Sequence, residues 1–247
     1  MFFSVIGDTM NRFWHVAHQA LFGSYAGVMM NRKVHWNAPL PDEPVIFTGN
    51  HPTTTDPFFI PLLTKRPVSI LITQMAFDVP WFGPILRKAG HICVNLLEPN
   101  GAAVVDAAVE ALSEGRSVAV FPEGKLSPTM NQMNKPHTGV ARIALKSGAP
   151  VVPFGINLVD EGYVKMITDT ENFYSEGRWA VRGPYYTTIG EAKRYGGDFE
   201  DRARVREVMC EIMDEIKEVA YQSEDRLKRE QPLWQPLYKM LLGQFGL

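Results

Sequence analysis

The chain is poor in cysteine, in net charge and in long apolar runs, and each deficit removes a class of protein. Cys93 and Cys210 are the two cysteines in 247 residues. Two are too few for a disulfide scaffold or a zinc cluster, which fits a reducing compartment. Twenty-five basic against 27 acidic side chains leave a net charge of -2. The basic excess of a nucleic-acid binder is missing, so no nucleic-acid partner is expected. No Gly-x-Ser-x-Gly elbow, P-loop or Gly-x-Gly-x-x-Gly fingerprint occurs, which argues against a serine nucleophile and the common nucleotide-binding turns. His51, Asp56, His91, Glu123 and His137 have no zinc-type spacing, so no metal is expected. Repeats, low-complexity tracts and linkers are also absent.

The first residues carry no basic stretch before their apolar ones and no small-residue cleavage pattern, so no signal peptide is expected. Residues 13–31 hold no Lys, Arg, Asp or Glu but do hold His15, His18, Gln19, Ser24 and two glycines. A spanning helix is not expected from such a segment. At roughly 100° per residue, Asn11, His15 and His18 share one helical face, and Met10, Phe13, Trp14, Ala17 and Leu21 the other. That pattern predicts an amphipathic helix over 1–32, docked by its apolar face on a membrane surface or on the domain's own core.

What the chain does have is the composition of one large folded domain: 45% apolar residues, with 14 Phe, 8 Tyr and 5 Trp. Short apolar runs at 45–48, 68–72, 91–95, 117–121 and 151–155 read as strands, bounded by Gly, Pro or polar residues. Helical patterns cover 102–114, ending at Gly115, and 139–146 before Ser147-Gly148. Alternation of this kind predicts a single α/β domain over 33–230: a mixed, mostly parallel sheet with helices on its faces. Residues 157–197 are expected to add strands. Val205, Val208, Met209, Ile212, Met213, Ile216, Val219 and Ala220 make one face of a long amphipathic helix packed on the core. After Pro232, Leu233, Trp234, Leu237, Tyr238, Leu241, Leu242 and Phe245 predict an apolar tail helix over 231–247.

Two segments carry chemistry. Gly49-Asn50-His51-Pro52-Thr53-Thr54-Thr55-Asp56-Pro57 directly follows a strand. On a regular helix His51 and Asp56 would lie about 140° apart, but at a strand end followed by a tight turn they can meet. Pro52 suits the first position of a helix starting there, and Pro57 biases Asp56 away from helix. The carboxylate would then fix the imidazole tautomer and raise the basicity of the other nitrogen, the arrangement of a general base and its orienting partner. The competing role for Asp56 is a plain helix cap. The second segment is Phe121-Pro122-Glu123-Gly124-Lys125, again at a strand end. There Glu123 can hold an acceptor hydroxyl or a backbone group, Gly124 permits close backbone approach, and Lys125 offers a positive charge.

In this order the two segments resemble the glycerolipid acyltransferases typified by 1-acylglycerol-3-phosphate acyltransferase, with tafazzin as a relative. Asn50, His51 and Asp56 match the family's Asn-His with an Asp after four intervening residues. Phe121, Pro122, Glu123 and Gly124 match its Phe-Pro-Glu-Gly block, and Val151-Val152-Pro153-Phe154 resembles its last signature. The likeness spans roughly 33 to 190. It implies transfer of an acyl group from acyl-CoA or acyl carrier protein to a lipid hydroxyl, most readily a lysophospholipid, with no bound cofactor. His51 and Asp56 would be catalytic, and Asn50, Glu123, Gly124, Lys125, His137 and Arg142 would bind substrate. Location at the cytoplasmic face of a membrane, as a peripheral protein, is the matching expectation. The chain departs from the pattern where phosphate is usually held. Lys125-Leu126-Ser127 and the stretch from Gly90 to Leu96 lack the family's usual arginines, and His137 stands where a Lys is frequent. A lone Lys meets phosphate as a point charge and lacks the bidentate fork of Arg. Acceptors without phosphate and tafazzin-like transacylation therefore stay open, as does a non-catalytic lipid-binding role. His15, His18 and His35 read as interfacial or surface residues.

Overall fold

Parallel strands buried on both faces are written as short apolar runs, and those runs assemble here into one central sheet. The computed structural model describes residues 2–95, 101–130, 132–159, 162–170 and 173–230. Helix α1 (Phe2–Val28) and the edge strand β1 (Arg32–Trp36) lead into β2 (Ile46–Gly49). Helix α2 (Asp56–Phe59) and a 3-10 turn (Ile60–Leu63) precede β3 (Val68–Thr73). Short helices α3 (Gln74–Phe77) and α4 (Gly83–Lys88) lead to β4 (Ile92–Val94). There follow α5 (Gly101–Ser113), β5 (Ser117–Val120), α6 (Gly139–Ser147) and β6 (Val151–Leu158). A hairpin of β7 (Tyr163–Thr170) and β8 (Phe173–Ala180), then β9 (Tyr185–Ile189) and α7 (Arg202–Glu230), complete the described chain.

The seven-stranded sheet has the order β1-β9-β6-β2-β5-β3-β4. Every pairing in it is parallel except β6 with β9, so it is the mixed, mostly parallel sheet that the strand–helix alternation predicts. Side-chain alternation sends Ile46, Val118, Val120 and Val151 to one core, shared with α5, α6 and α7. It sends Val45, Phe47, Ala119, Val152, Phe154 and Ile156 to the other, shared with α1 and the 3-10 turn. Each fully buried aliphatic or Phe side chain contributes roughly 1.5–3 kcal/mol to this two-sided core.

The predicted strands and helices of the middle appear within one to three residues of their expected ends. Val205 to Ala220 are buried on α7 along the predicted face, and that helix runs on to Glu230. Strand β1 is absent from the sequence reading. It pairs on one side alone, with β9, and an edge strand needs no continuous apolar run. It also takes Arg32 into the sheet, across the predicted boundary at 32–33. The predicted tail helix over 231–247 lies outside the described residues.

Helix α1 is turned the other way from the expectation of an apolar face on the core. His15 is buried and its Nε2 pairs with the Thr64 carbonyl at 3.1 Å. His18 Nε2 meets the Phe58 carbonyl at 2.7 Å, and Gln19 donates to the carbonyls of Pro61 and Thr64. Phe13, Leu21 and Val28 are 61%, 66% and 82% exposed. The carbonyls of Phe58 in α2, of Pro61 in the 3-10 turn and of Thr64 just after it explain the inversion: carbonyls near helix ends call for donors, and polar side chains of α1 supply them. His15 and His18 are therefore packing residues and not surface ones, while His35 is exposed on β1. The side chains of Met10 and Asn11 lie outside those described. Among the described residues no helix is long and apolar enough to cross a membrane.

Candidate active site

Strands β2 and β5 are parallel neighbours, with Ile46 opposite Val118 and Thr48 opposite Val120. Their carboxyl ends therefore emerge side by side, and the two chemistry-bearing segments, about seventy residues apart in sequence, meet at one sheet edge. Gly49 ends β2 under tight packing: a Cβ there would lie 2.3 Å from the Phe154 ring. The adjoining Asn50 is spent on the sheet. Its side-chain amide donates to the Ile156 carbonyl at 2.8 Å and its oxygen accepts from the Ile156 N–H at 2.7 Å.

The chain then turns through Pro52 to Thr55, and helix α2 starts at Asp56, not at Pro52. Pro57 occupies its first turn, where no N–H is missed. The position before a proline is thus compatible with helix here, against the expected bias. Thr55 is the N-cap and makes no side-chain cap bond, so the Asp56 carboxylate is not a cap. It is fully buried and surrounded by donors. Oδ2 receives His51 Nδ1 at 3.1 Å and the Thr53 N–H at 2.7 Å. Oδ1 receives the Thr53 hydroxyl at 2.5 Å and the Tyr185 hydroxyl at 2.7 Å. With the carboxylate accepting throughout, the proton of neutral His51 sits on Nδ1 and Nε2 presents its lone pair. Burial, with the Asp56 charge beside it, pushes the Tyr185 hydroxyl well above the usual tyrosine range, so Tyr185 stays a donor.

His51 is held from three further sides. Phe121 stacks on its ring, centroids 4.2 Å apart. Its N–H reaches Ser127 Oγ at 3.1 Å and Glu123 Oε1 at 3.3 Å, and its carbonyl accepts from the Ser127 N–H at 2.8 Å. Glu123 is the hub of this latch: Oε1 also receives the Ser127 hydroxyl at 2.5 Å, and Oε2 the backbone and side-chain amides of Asn134 at 2.6 and 2.9 Å. Four donors thus converge on the carboxylate expected to hold an acceptor hydroxyl or a backbone group, and two of the four are backbone N–H groups. Its evident work is to lock the Phe-Pro-Glu-Gly turn to the His51 loop. Gly124 carries φ +66°, a left-handed conformation that suits glycine, and a Cβ there would come within 3.0 Å of the His137 ring. Lys125 and His137 are exposed beside this turn. Arg142, on α6, donates to the Phe199 carbonyl at 2.9 Å, bracing the approach to α7.

Sequence reasoning missed Tyr185, Ser127, Asn134 and Arg178. Arg178 of β8 is buried and donates to the carbonyls of Pro52 and Pro128 at 3.3 and 3.2 Å and to Glu176 at 3.1 Å. Its own backbone pairs with Thr54 through the Thr54 N–H and hydroxyl. Ser127 stands four residues past Glu123, and a hydroxyl that close to a motif carboxylate is a readable signal. Tyr185 and Arg178 lie 129 and 126 residues from their partners, and nothing local marks them.

A buried Asp–His pair thus stands at a parallel sheet's carboxyl edge, locked to a Phe-Pro-Glu-Gly turn. Residues 31–157 match the family model described as Acyltransferase, and the chain belongs to that family. It is 29% identical over 127 residues to a 1-acyl-sn-glycerol-3-phosphate acyltransferase of Borreliella burgdorferi, covering 50% of this chain and 49% of that protein. A lyso-ornithine lipid O-acyltransferase of Pseudomonas aeruginosa is 26% identical over 131 residues, with 53% of this chain and 49% of the other covered. The chain thus spans about half the length of these curated relatives. The crystal structure of the 1-acyl-sn-glycerophosphate (LPA) acyltransferase PlsC from Thermotoga maritima shares the fold. Its TM-score is 0.53 at 20% identity, over 94% of this chain and 82% of that one.

Proposed function

We propose that this chain moves a fatty acyl group from a thioester, acyl-CoA or acyl carrier protein, to the hydroxyl of a lysophospholipid such as 1-acylglycerol-3-phosphate. The observation that carries the reading is the His51–Asp56 pair, with Nδ1 committed to a buried carboxylate and Nε2 left as acceptor. His51 Nε2 takes the acceptor's hydroxyl proton while its oxygen forms a bond to the thioester carbonyl carbon. As the carbon–sulfur bond breaks, the departing sulfur takes that proton from the imidazolium and leaves as a thiol. Asp56 stabilises the imidazolium in between. Lys125 supplies a cation beside the site for a phosphate on either substrate. Asn50 and Glu123 act as positioning residues in this scheme, since their polar atoms are already paired.

A non-phosphate acceptor is the second reading, and one arrangement favours it. Arg178, whose guanidinium bonds the loop itself, is committed to two carbonyls and Glu176, so that its fork is already occupied. The lyso-ornithine lipid relative keeps such acceptors in view. The amphiphilic substrates and the outward Phe13, Val16, Leu21 and Val28 of α1 support a peripheral position on a membrane, at the cytoplasmic face where both thioester donors are found. The test incubates the protein and His51→Ala with palmitoyl-CoA or palmitoyl-acyl carrier protein. Acceptors are lysophosphatidic acid, neutral lysophospholipids and long-chain alcohols, and thiol release and lipid product are followed. His51-dependent product supports acyl transfer and selects the acceptor. No product from any combination overturns it.

A further inference from the structure

A second cation, Arg32, sits close enough to Tyr185, which donates to Asp56, for its charge to act on that hydroxyl. Arg32 begins β1, and its guanidinium sits 5.9 Å from the centre of the Phe59 ring. Its Nε is sealed from solvent with no hydrogen-bond acceptor. Among the described residues no carboxylate pairs with it. Burial pulls its pKa below the ordinary arginine value, and Tyr185 only partly offsets this. In this half-buried guanidinium one sealed N–H has no acceptor, and a bound anion would supply one together with the counter-charge.

The space beside it has room for that counter-charge. A cavity of about 360 Å³ opens between α1 and the 3-10 turn, lined by Gln19, Gly23, Ala26, Gly27, Leu62 and Arg32. Gly23 and Gly27 lie one helical turn apart and shape its wall. A Cβ on Gly27 would meet nothing within 4 Å, and one on Gly23 would touch Leu62 alone, at 3.9 Å. The lining thus combines the apolar side chains of Ala26 and Leu62 with the amide of Gln19 and the guanidinium of Arg32, a mixture suited to the head of an anionic amphiphile. Its helix wall belongs to α1, whose outward side is apolar.

We propose that this cavity binds a phosphate group, that of an anionic phospholipid in the surface on which α1 rests, with Arg32 as its counter-ion. The membrane as source rests on the peripheral reading above; the phosphate chemistry of the cavity does not. Arg32→Gln removes the charge, and Gly27→Leu fills the cavity while leaving the charge in place. Lys33→Gln, on the opposite side of the same strand, controls for general surface charge. Binding is measured to vesicles of phosphatidylcholine with and without phosphatidic acid, and melting temperature is followed as inorganic phosphate is added. A preference for the acidic vesicles that falls on the order of ten-fold in both Arg32→Gln and Gly27→Leu, and stays in Lys33→Gln, supports the lipid site. A phosphate-induced rise in melting temperature that both variants lose, without any vesicle preference, assigns the cavity to a soluble phosphate compound and overturns the lipid source alone. Equal losses in all three variants, or no loss in the first two, overturn the site. None of these readouts depends on acyl transfer, so their failure and the failure of the enzymatic reading are separable.

Discussion

Tyr185 of β9 donates its hydroxyl to Asp56 Oδ1 at 2.7 Å across 129 residues of sequence, and so braces the partner of the proposed base. Tyr185→Phe should leave Asp56 held by Thr53 and His51 alone. Loss of one hydrogen bond to a buried charge is worth about 1.5–3 kcal/mol. The expected result is a kcat lower by about ten-fold or more, with KM little changed. A rate within two-fold of wild type, measured with the acceptor found above, would show that Thr53 suffices.

His51→Ala should abolish transfer in a protein that melts normally, because the ring is packed on Phe121 but fills no core position. Asp56→Asn should be severe but milder. An amide at that position sets its own N–H groups against some of four donors and loses hold of the Nδ1 tautomer. Turnover of folded His51→Ala near the wild-type rate would remove the base from His51.

Glu123→Gln separates a latch from a substrate contact. As a latch, Glu123 accepts from His51, Ser127 and Asn134, and an amide must turn one N–H toward a donor. The expected cost is about 1–3 kcal/mol of stability, seen as a lower denaturation midpoint, together with a lower kcat. A substrate-contact role would instead raise KM and leave the midpoint in place.

Stability should fall on acidification. Burial lowers the pKa values of His15 and His18, and that of His91 is pulled down to about 3, chiefly by burial and then by His18 and Arg116. Each ring binds its proton more readily unfolded, near 6.5, than folded. The unfolded chain then takes up more protons as pH drops, and stability contributed by the neutral rings is lost from about pH 6.5 downward. Denaturant midpoints between pH 7.5 and 4 should follow that course. His91→Gln, which can still accept from the Ile70 N–H that His91 Nδ1 receives at 3.2 Å, should flatten it. An unchanged slope would place the titration elsewhere.

Phe13→Glu with Leu21→Glu should weaken binding to phosphatidylcholine vesicles several-fold while altering folding stability by less than about 0.5 kcal/mol each, since both side chains face outward. A large loss of stability would mean that these residues are covered by protein.

The sequence by itself determined the sheet's inner strands, its α/β class, the course of α7 and the pairing of His51 with Asp56. Those features rest on short-range signals: apolar runs, period-3.6 faces, and motif residues held to the ends of strands. Only the tertiary structure decided what lies beside them. It placed β1 and β9 at one side of the sheet, turned the polar side of α1 inward to meet the carbonyls of Phe58, Pro61 and Thr64, and used Asn50 and Glu123 as braces. It also brought Tyr185 and Arg178 to the loop of 50–56. Backbone groups at turn ends must find partners wherever the fold carries them, and those partners come from distant segments that no local pattern specifies.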